Sequence, residues 1–292
     1  MVELREAFTV GTLYLVATPL GNLEDITLRA LRILREARVI AAEDTRHTRK
    51  LLNHFAIATP TISYHEHSGP VGIAAVLAAL AEGDVALVSD AGTPAISDPG
   101  ADLIGAALTA GYPVVPIPGP SAVVTALIAS GLPTSEFTFL GFLPRRSQER
   151  RAVLLSISHE PRTLVIYEAP HRLRASLDDL LAVLGDREAC LARELTKVHE
   201  QWLRGTLSVL QARYGGQDEP RGEFTLVIAG ASQASQSQFE EAPEMLAIRA
   251  RDRLRELLAA GSKTRDAAVI AARELGLPRR EMYRLALELA VN

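Results

Sequence analysis

Val85-Ala86-Leu87-Val88 is a short apolar run that leads into Ser89-Asp90-Ala91-Gly92-Thr93-Pro94-Ala95-Ile96-Ser97-Asp98-Pro99-Gly100, and a helical pattern follows over Ala101 to Ala110. A buried strand, a shaped loop and a helix, in that order, point to an α/β fold built on a parallel sheet. The loop holds two Gly, two Pro and two Asp. Gly lets the backbone approach a ligand closely and Pro fixes its path, so this loop has a set shape beyond a simple reversal. In open α/β sheets ligands bind past the carboxyl ends of the strands. The loop is therefore the first candidate for a binding site.

The same alternation recurs along the first part of the chain. Thr12 to Ala17, Arg38 to Ala42 and Pro113 to Ile117 read as strands, and Ile26 to Ala37, Thr45 to Asn53 and Val71 to Ala81 as helices. In the first helix Ile26, Ala30, Leu31, Leu34 and Ala37 share a face that Arg29 and Arg32 avoid. A second pattern starts near Glu136. Strands are expected at Phe137–Gly141 and Thr163–Tyr167, and helices at Gln148–Ile157 and His171–Leu184, the latter stopped by Gly185. Ala189–Arg193, Val198–Leu203 and Glu223–Ala229 then follow as strands with no helix between them, which predicts a mixed sheet with antiparallel members. Ala231–Phe239 is polar and of low complexity, as in a linker. Beyond it the pattern is helical. Thr264–Leu275 and Arg279–Leu289 flank a Gly276-Leu277-Pro278 break, with Ala267, Ile270, Ala271 and Leu275 on one apolar face and Met282, Leu285, Ala286 and Leu289 on the other. A helix-turn-helix shape is expected there.

At 292 residues, 48% hydrophobic and 23% charged, the chain can bury sizeable cores in two or three domains. Its net charge of −4 gives no global field for nucleic acid, but the sign is uneven. Met245 to Asn292 carries ten Arg or Lys against six Asp or Glu, a balance of +4 that leaves −8 on the preceding residues. The basic tail permits a nucleic-acid role. The lone Cys190 cannot form an internal disulfide and favours a reducing compartment. Glu3 and Glu6 make a poor secretory leader, and no apolar run approaches the roughly 20 residues of a membrane span. A cytoplasmic, soluble protein is expected.

Several clusters fall at expected strand ends. They are Ala17-Thr18-Pro19-Leu20-Gly21-Asn22, Ala42-Glu43-Asp44-Thr45-Arg46, Ser89 to Gly100, Pro118-Gly119-Pro120-Ser121-Ala122, Gly141-Phe142-Leu143-Pro144, Tyr167-Glu168-Ala169-Pro170-His171-Arg172 and Arg193-Glu194-Leu195-Thr196-Lys197, closed by Gly222-Glu223-Phe224. Together and in this order they resemble the tetrapyrrole methylase superfamily, and within it the branch that methylates small-subunit ribosomal RNA. The match runs from about Gly11 to Gly230, and Ala169 occupies a place where Ser is common in the family.

The resemblance implies two α/β domains, residues 1–118 and 119–232, with S-adenosylmethionine in the cleft between them, and a helical extension over 240–292. It implies a homodimer, and methyl transfer to the 2′-oxygen of a cytidine ribose in 16S rRNA near the decoding centre. By family pattern, the backbone of Asp90, Ala91 and Gly92 would hold the methionine or ribose parts of the cofactor. The backbone around Ser121, Ala122 and Leu143 would hold adenine, with apolar contact from Leu20, Leu143 and Tyr167. The chain has neither a phosphate-binding Gly-x-x-x-x-Gly-Lys-Ser/Thr loop nor a Gly-x-Gly-x-x-Gly after its first strand, which suits a cofactor that carries no phosphate.

A ribose hydroxyl is a poor nucleophile, so a base or a cation near the developing alkoxide is needed. Glu43 or Asp44 is the expected base, and Arg46 and Lys197 the cations for alkoxide or RNA phosphate. Plainer roles compete. Asp44 is well placed to cap the helix at Thr45, and Lys197 with Glu200 to form a surface pair. His65 and His67 have metal-ligand spacing but lack a third ligand, so no metal is expected. Arg145, Arg146, Arg150 and Arg151 after Pro144 form a basic cluster, read as RNA contacts or as a solvated helix face, and Lys263 and Arg265 extend the RNA candidates into the tail. Two other functions remain open at this point: methylation of a corrinoid or porphyrinoid, and a non-catalytic S-adenosylmethionine sensor that binds nucleic acid.

Overall fold

The computed structural model describes residues 11–216, 220–231, 243–275 and 277–290, which fall into two compact units divided after Ala231. The first unit contains two five-stranded sheets. Its first sheet comprises β1 (Leu13–Val16), β2 (Val39–Ala42), β3 (Thr61–Ser63), β4 (Val85–Val88) and β5 (Val114–Ile117), in the order β3-β2-β4-β1-β5 with all pairings parallel. β2 and β4 are buried at every residue, because helices cover both faces, and this is why they read as unbroken apolar runs. The covering helices are α1 (Leu28–Glu36), α2 (Thr45–His54), α3 (Gly69–Glu82) and α4 (Ala101–Thr109). The Thr27 hydroxyl accepts the Ala30 N–H at 3.0 Å and starts α1, whose buried face is Ala30, Leu31, Ile33 and Leu34.

α5 (Ala122–Ala129) leads to the second sheet, made of β6 (Phe137–Phe142), β7 (Thr163–Glu168), β8 (Glu188–Arg193), β9 (Gln201–Thr206) and β10 (Phe224–Ile228). The order is β6-β7-β10-β8-β9; β6 and β7 run parallel, and the other pairings are antiparallel. The expected mixed sheet is thus present. α6 (Ser147–Ser156), α7 (Leu173–Leu184) and α8 (Leu207–Tyr214) pack on one face, with Leu154, Leu164, Ile166, Leu173, Leu177 and Leu180 at the centre of the core. α5 covers the other face through Val123, Ala126 and Leu127.

Several boundaries differ from the sequence expectation. The strand expected at Val198–Leu203 begins at Gln201 instead, because residues 194–200 form a tight turn with left-handed backbone at Glu194 and Thr196. β3, α5 and α8 were not anticipated. α5 is apolar nearly all round its sequence Ala-Val-Val-Thr-Ala-Leu-Ile-Ala, so it has no helical period to read.

The second unit contains α9 (Pro243–Ala259), α10 (Thr264–Leu275) and α11 (Arg279–Ala290). Ala250, Leu254, Ala267, Ala268, Ala271, Ala272, Met282 and Ala286 form its core, and the alanines let the helices approach closely. Ile270, expected inside, is exposed; the buried side of α10 carries Ala268 and Ala272 beside Ala267 and Ala271. The expected linker lies, after Ala231, outside the described residues, as does Gly276 of the expected break.

Candidate active site

Loops at the carboxyl ends of β1, β4 and β5 are tied together by backbone bonds. Thr18 and Gly92 exchange N–H and C=O bonds of 2.9 Å, and the Thr93 hydroxyl donates to Pro120 O at 3.0 Å. The Thr18 hydroxyl donates to Ser89 O at 3.2 Å. Gly92 has φ +80°, and a Cβ there would press on Leu20 at 3.2 Å. Beyond it, Ala95 and Ser97 also take left-handed backbone, at φ 67° and 61°. Such conformations cost roughly 1–3 kcal/mol each in non-glycine residues and gather at functional sites.

These loops line a cavity of about 340 Å³ that opens between the two sheets of the first unit. Three carboxylates enter its wall from the first sheet: Glu43, Asp90 and Asp98. Burial pushes the Glu43 pKa above the usual carboxylate value; a hydrogen bond from Asp90 N opposes this, and the charges of Asp90, Glu66 and Asp44 add to it. Asp98 is pushed up to about 6, first by burial and then by the Glu43 and Asp90 charges, against a hydrogen bond from Ser89. The Asp44 N–H donates to Asp90 Oδ1 at 3.1 Å and joins the β2 loop to the β4 loop.

The second sheet supplies the opposite wall. Phe142, Tyr167 and Glu168 line it at the ends of β6 and β7. The Tyr167 ring meets Phe139 and Phe142 edge-on at 4.9 and 5.6 Å. Burial pushes the Tyr167 phenol up to about 12 despite a hydrogen bond from the Val123 backbone. Glu168 is buried: Oε1 accepts Ala169 N–H at 2.8 Å and lies 3.3 Å from Arg172 Nε, while Oε2 accepts the Ser176 hydroxyl. Arg172 in turn donates to the carbonyls of Leu143 and Pro144. Arg150 donates to Pro144 O at 3.3 Å and Arg145 O at 3.2 Å, and pairs with Asp179 at 2.6 Å.

Of the residues the sequence singled out, the structure brings Leu20, Glu43, Asp90, Ala91, Gly92, Ser121, Ala122 and Tyr167 to the cavity. Four expectations need correction. Leu143 does not line it: its side chain is buried in the core of the second sheet and its carbonyl is held by Arg172, so Phe142 occupies the wall instead. The Gly92 N–H is taken by Thr18 O, while its C=O, which accepts Thr18 N–H, keeps a second lone pair at the cavity wall. Asp44 does not line the cavity. It caps α2, accepting Arg46 N–H at 2.8 Å, and its bonds to Arg46 hold its pKa well below the carboxylate range. Arg46 pairs with Asp44 and is 90% exposed outside the cavity lining, which removes it as the cation for the alkoxide and leaves its expected role at RNA phosphate. Arg150 is only 3% exposed and committed to Asp179 and three carbonyls, so it is no surface contact for RNA. Arg145 and Arg146 beside it are exposed, as are Lys263 and Arg265 in the second unit.

Lys197 lies at the cavity edge, bonded to Glu194 and to the cavity-lining Glu223, each at 2.9 Å; the expected pairing with Glu200 does not form, as Glu200 accepts Thr196 N–H and Trp202 Nε1–H. Partial burial lowers its pKa, but both glutamates outweigh this and favour the charged ammonium, in keeping with the expected role as a cation. His65 Nδ1 accepts His67 N–H at 3.2 Å in a local turn. Among the described residues no His, Cys, Asp and Glu cluster as metal ligands. Asp98, Phe142 and Glu168 were not singled out individually, although each sits inside a quoted strand-end cluster.

Two sheets with a cleft at the strand ends, walled by carboxylates on one side and aromatic rings on the other, define a cleft enzyme of the α/β class. The profile of the Tetrapyrrole (Corrin/Porphyrin) Methylases matches residues 12–211, and that of the RsmI C-terminal HTH domain matches 247–290. The chain is 51% identical to a Ribosomal RNA small subunit methyltransferase I of Synechocystis over 97% of its length and 100% of that protein's. It is 42% identical to the protein of that name in Bacillus subtilis, over 94% of its length and 93% of that protein's. A uroporphyrin-III C-methyltransferase of Thermus thermophilus, solved with S-adenosylhomocysteine, shares the fold at TM-score 0.53 and 24% identity, covering 75% of this chain and 97% of that one. This chain belongs to the ribosomal RNA small subunit methyltransferase I family, a branch of the tetrapyrrole methylases.

Proposed function

We propose that the chain transfers the methyl group of S-adenosylmethionine to the 2′-oxygen of a cytidine ribose in 16S rRNA near the decoding centre. The relatives' name supplies the substrate class. The observation that carries the chemistry is Glu43, a half-buried carboxylate with a raised pKa in the wall of a nucleoside-sized cavity. The cavity fits the cofactor in kind: apolar and aromatic surface from Leu20, Ala122, Phe142 and Tyr167 suits an adenosine, and Asp90 and Asp98 suit a cationic group and ribose hydroxyls. Ser121 precedes α5 without capping it, so its hydroxyl is open to a ligand. When bound, the cofactor supplies a methyl carbon activated by a positively charged sulfur.

The residues of this chain then do three things. The walls align the acceptor oxygen with the methyl carbon and exclude competing water. Glu43 takes the 2′-hydroxyl proton as the new O–C bond forms and the S–C bond breaks. Arg46, Arg145, Arg146, Lys263 and Arg265, all exposed, offer cations to RNA phosphates. The work is cytoplasmic, where ribosomal subunits are; no helix among the described residues is long and apolar enough to cross a membrane. The working form is a homodimer. Val124 and Ile128, neighbours on one exposed side of α5, are apolar surface such an interface would cover.

The test is transfer of labelled methyl from S-adenosylmethionine to small ribosomal subunits lacking their own decoding-site modification, with nuclease mapping of the product. Label on a cytidine ribose is expected. Tight cofactor binding without label on RNA would overturn the reading in favour of a macrocycle acceptor or a sensor.

A further inference from the structure

The turn after β8 is held in an unfavourable shape that serves one side chain. Glu194 and Thr196 both have left-handed backbone, at φ 54° and 64°, where side chains are rarely accommodated. Two glycines make room for the turn. A Cβ on Gly21 would overlap the Lys197 stem, and one on Gly222, itself at φ +97°, would meet the Glu194 side chain at 2.6 Å. The result is that the Lys197 ammonium is fixed beside the cavity.

Its two partners differ in kind. Glu194 is 20% exposed, and its Oε1 accepts both the Lys197 ammonium and the Glu223 N–H at 2.9 Å, so it is pinned. The Glu223 side chain is 76% exposed, lines the cavity and holds Lys197 through one ion pair of 2.9 Å. An exposed ion pair is weak and opens readily. Opening it presents a half-buried ammonium, still held by Glu194, to whatever enters the cleft. Nearby, Arg193 donates to the neutral acceptors Arg221 O and Gln201 Oε1, and Arg221 is exposed, so two further cations lie beside Lys197 outside the carboxylate-lined cavity wall, open to further phosphates of one strand.

We propose that Glu223 is a placeholder: on substrate binding a phosphodiester of the RNA displaces its carboxylate and takes the Lys197 ammonium. This rests on the RNA reading above and assigns the subsite that would anchor the backbone next to the reacting ribose. Lys197 is thereby a binding residue for phosphate, with Glu194 as its positioning residue.

The experiment compares the whole chain with Glu223→Gln and Lys197→Met. It measures affinity for unmodified small ribosomal subunits across a salt series, and affinity for S-adenosylhomocysteine. Glu223→Gln removes a weak competing charge, so subunit affinity rises about two- to fivefold while S-adenosylhomocysteine affinity holds. Lys197→Met keeps an apolar stem against Gly21, weakens subunit binding and makes the logarithmic salt slope shallower by about one. Unchanged or weaker subunit binding in Glu223→Gln overturns the exchange, as does an unaltered salt slope in Lys197→Met. Tighter S-adenosylhomocysteine with no gain on subunits assigns the ammonium to the cofactor's carboxylate and overturns it too. Absence of subunit binding by the unaltered chain is a different failure: it removes the RNA reading itself.

Discussion

The two sheets of the first unit build unlike halves of one cavity. From the first come Glu43, Asp90 and Asp98, carried on loops tied to one another mainly by backbone bonds such as Thr18–Gly92. From the second come Phe142, Tyr167 and Glu168, carried on strand ends that the half-buried Arg172 ties together from behind. In the first half burial, with neighbouring carboxylate charges adding to it and no cation in the cavity wall, raises the pKa values of Glu43 and Asp98 and prepares proton chemistry. In the second the buried carboxylate Glu168 has Arg172, Ser176 and a backbone N–H, so it is structural. Carboxylates of the same type thus serve opposite ends: Glu168 has the Arg172 guanidinium beside it, and Glu43 and Asp98 have no such partner in the cavity wall.

If that division holds, substitutions in the two halves separate activity from stability. Glu43→Gln keeps the shape of the first half and removes its proton acceptor. Turnover on small subunits should fall about 10²- to 10⁴-fold, with S-adenosylhomocysteine affinity within about threefold. A loss of less than tenfold would take Glu43 out of the chemistry. In the second half Arg150→Leu leaves Asp179 charged and buried without its main partner, although Arg151 lies 3.8 Å away. Denaturant unfolding should show a loss of about 3–5 kcal/mol. Arg145→Ala, five residues earlier and exposed, should stay within about 0.5 kcal/mol in the same assay. Equal losses at both would mean that Arg150 is no clamp.

That pair of arginines also marks how far the sequence could be read. The strand-end clusters were legible because their chemistry is local: an apolar run followed by Gly, Pro and Asp fixes both the strand and the loop after it. Leu20, Asp90, Ser121 and Tyr167 reach the cavity for that reason. Which of Arg145, Arg146, Arg150 and Arg151 turns inward depends on Asp179, far along the chain in α7, and no local pattern carries it. Leu143, one residue from the wall, turns its side chain into the core of the second sheet, while Arg172, far along the chain, holds its carbonyl. In α10 the alanines could be placed on either side by pattern, and close helix packing chose Ala268 and Ala272 over the bulkier Ile270.

A pH series sharpens the account of the first half. The Asp98 carboxyl has a pKa of about 6 in the folded chain, caused first by burial. Unfolded, its value is about 3.9. Between those values the folded state keeps a proton that the unfolded state has lost, so stability falls as pH rises through that window. Asp98→Asn cannot lose that proton. Its melting temperature relative to the unaltered chain should rise from about pH 4 to about pH 6 and then level off, as followed by calorimetry. A difference that is flat across this range would mean that Asp98 is not held in a desolvated, acidic setting.

The smallest effect tests the finest distinction, between adjacent carboxylates at one strand end. Glu43 and Asp44 share a loop, yet Glu43 faces the cavity and Asp44 caps α2. Asp44 accepts Arg46 N–H at 2.8 Å and binds the Arg46 guanidinium, so its proton affinity is low, the opposite of what a base needs. Its own N–H, bonded to Asp90, survives removal of the side chain. Asp44→Ala should therefore lower stability by the modest amount that goes with a lost N-cap, less than Arg150→Leu does. Turnover at saturating cofactor should fall far less than in Glu43→Gln, since the Asp44 side chain lines neither wall. A collapse of turnover in Asp44→Ala, with α2 intact by circular dichroism, would move the proton acceptor to Asp44 and erase the contrast between chemistry and scaffold on this loop.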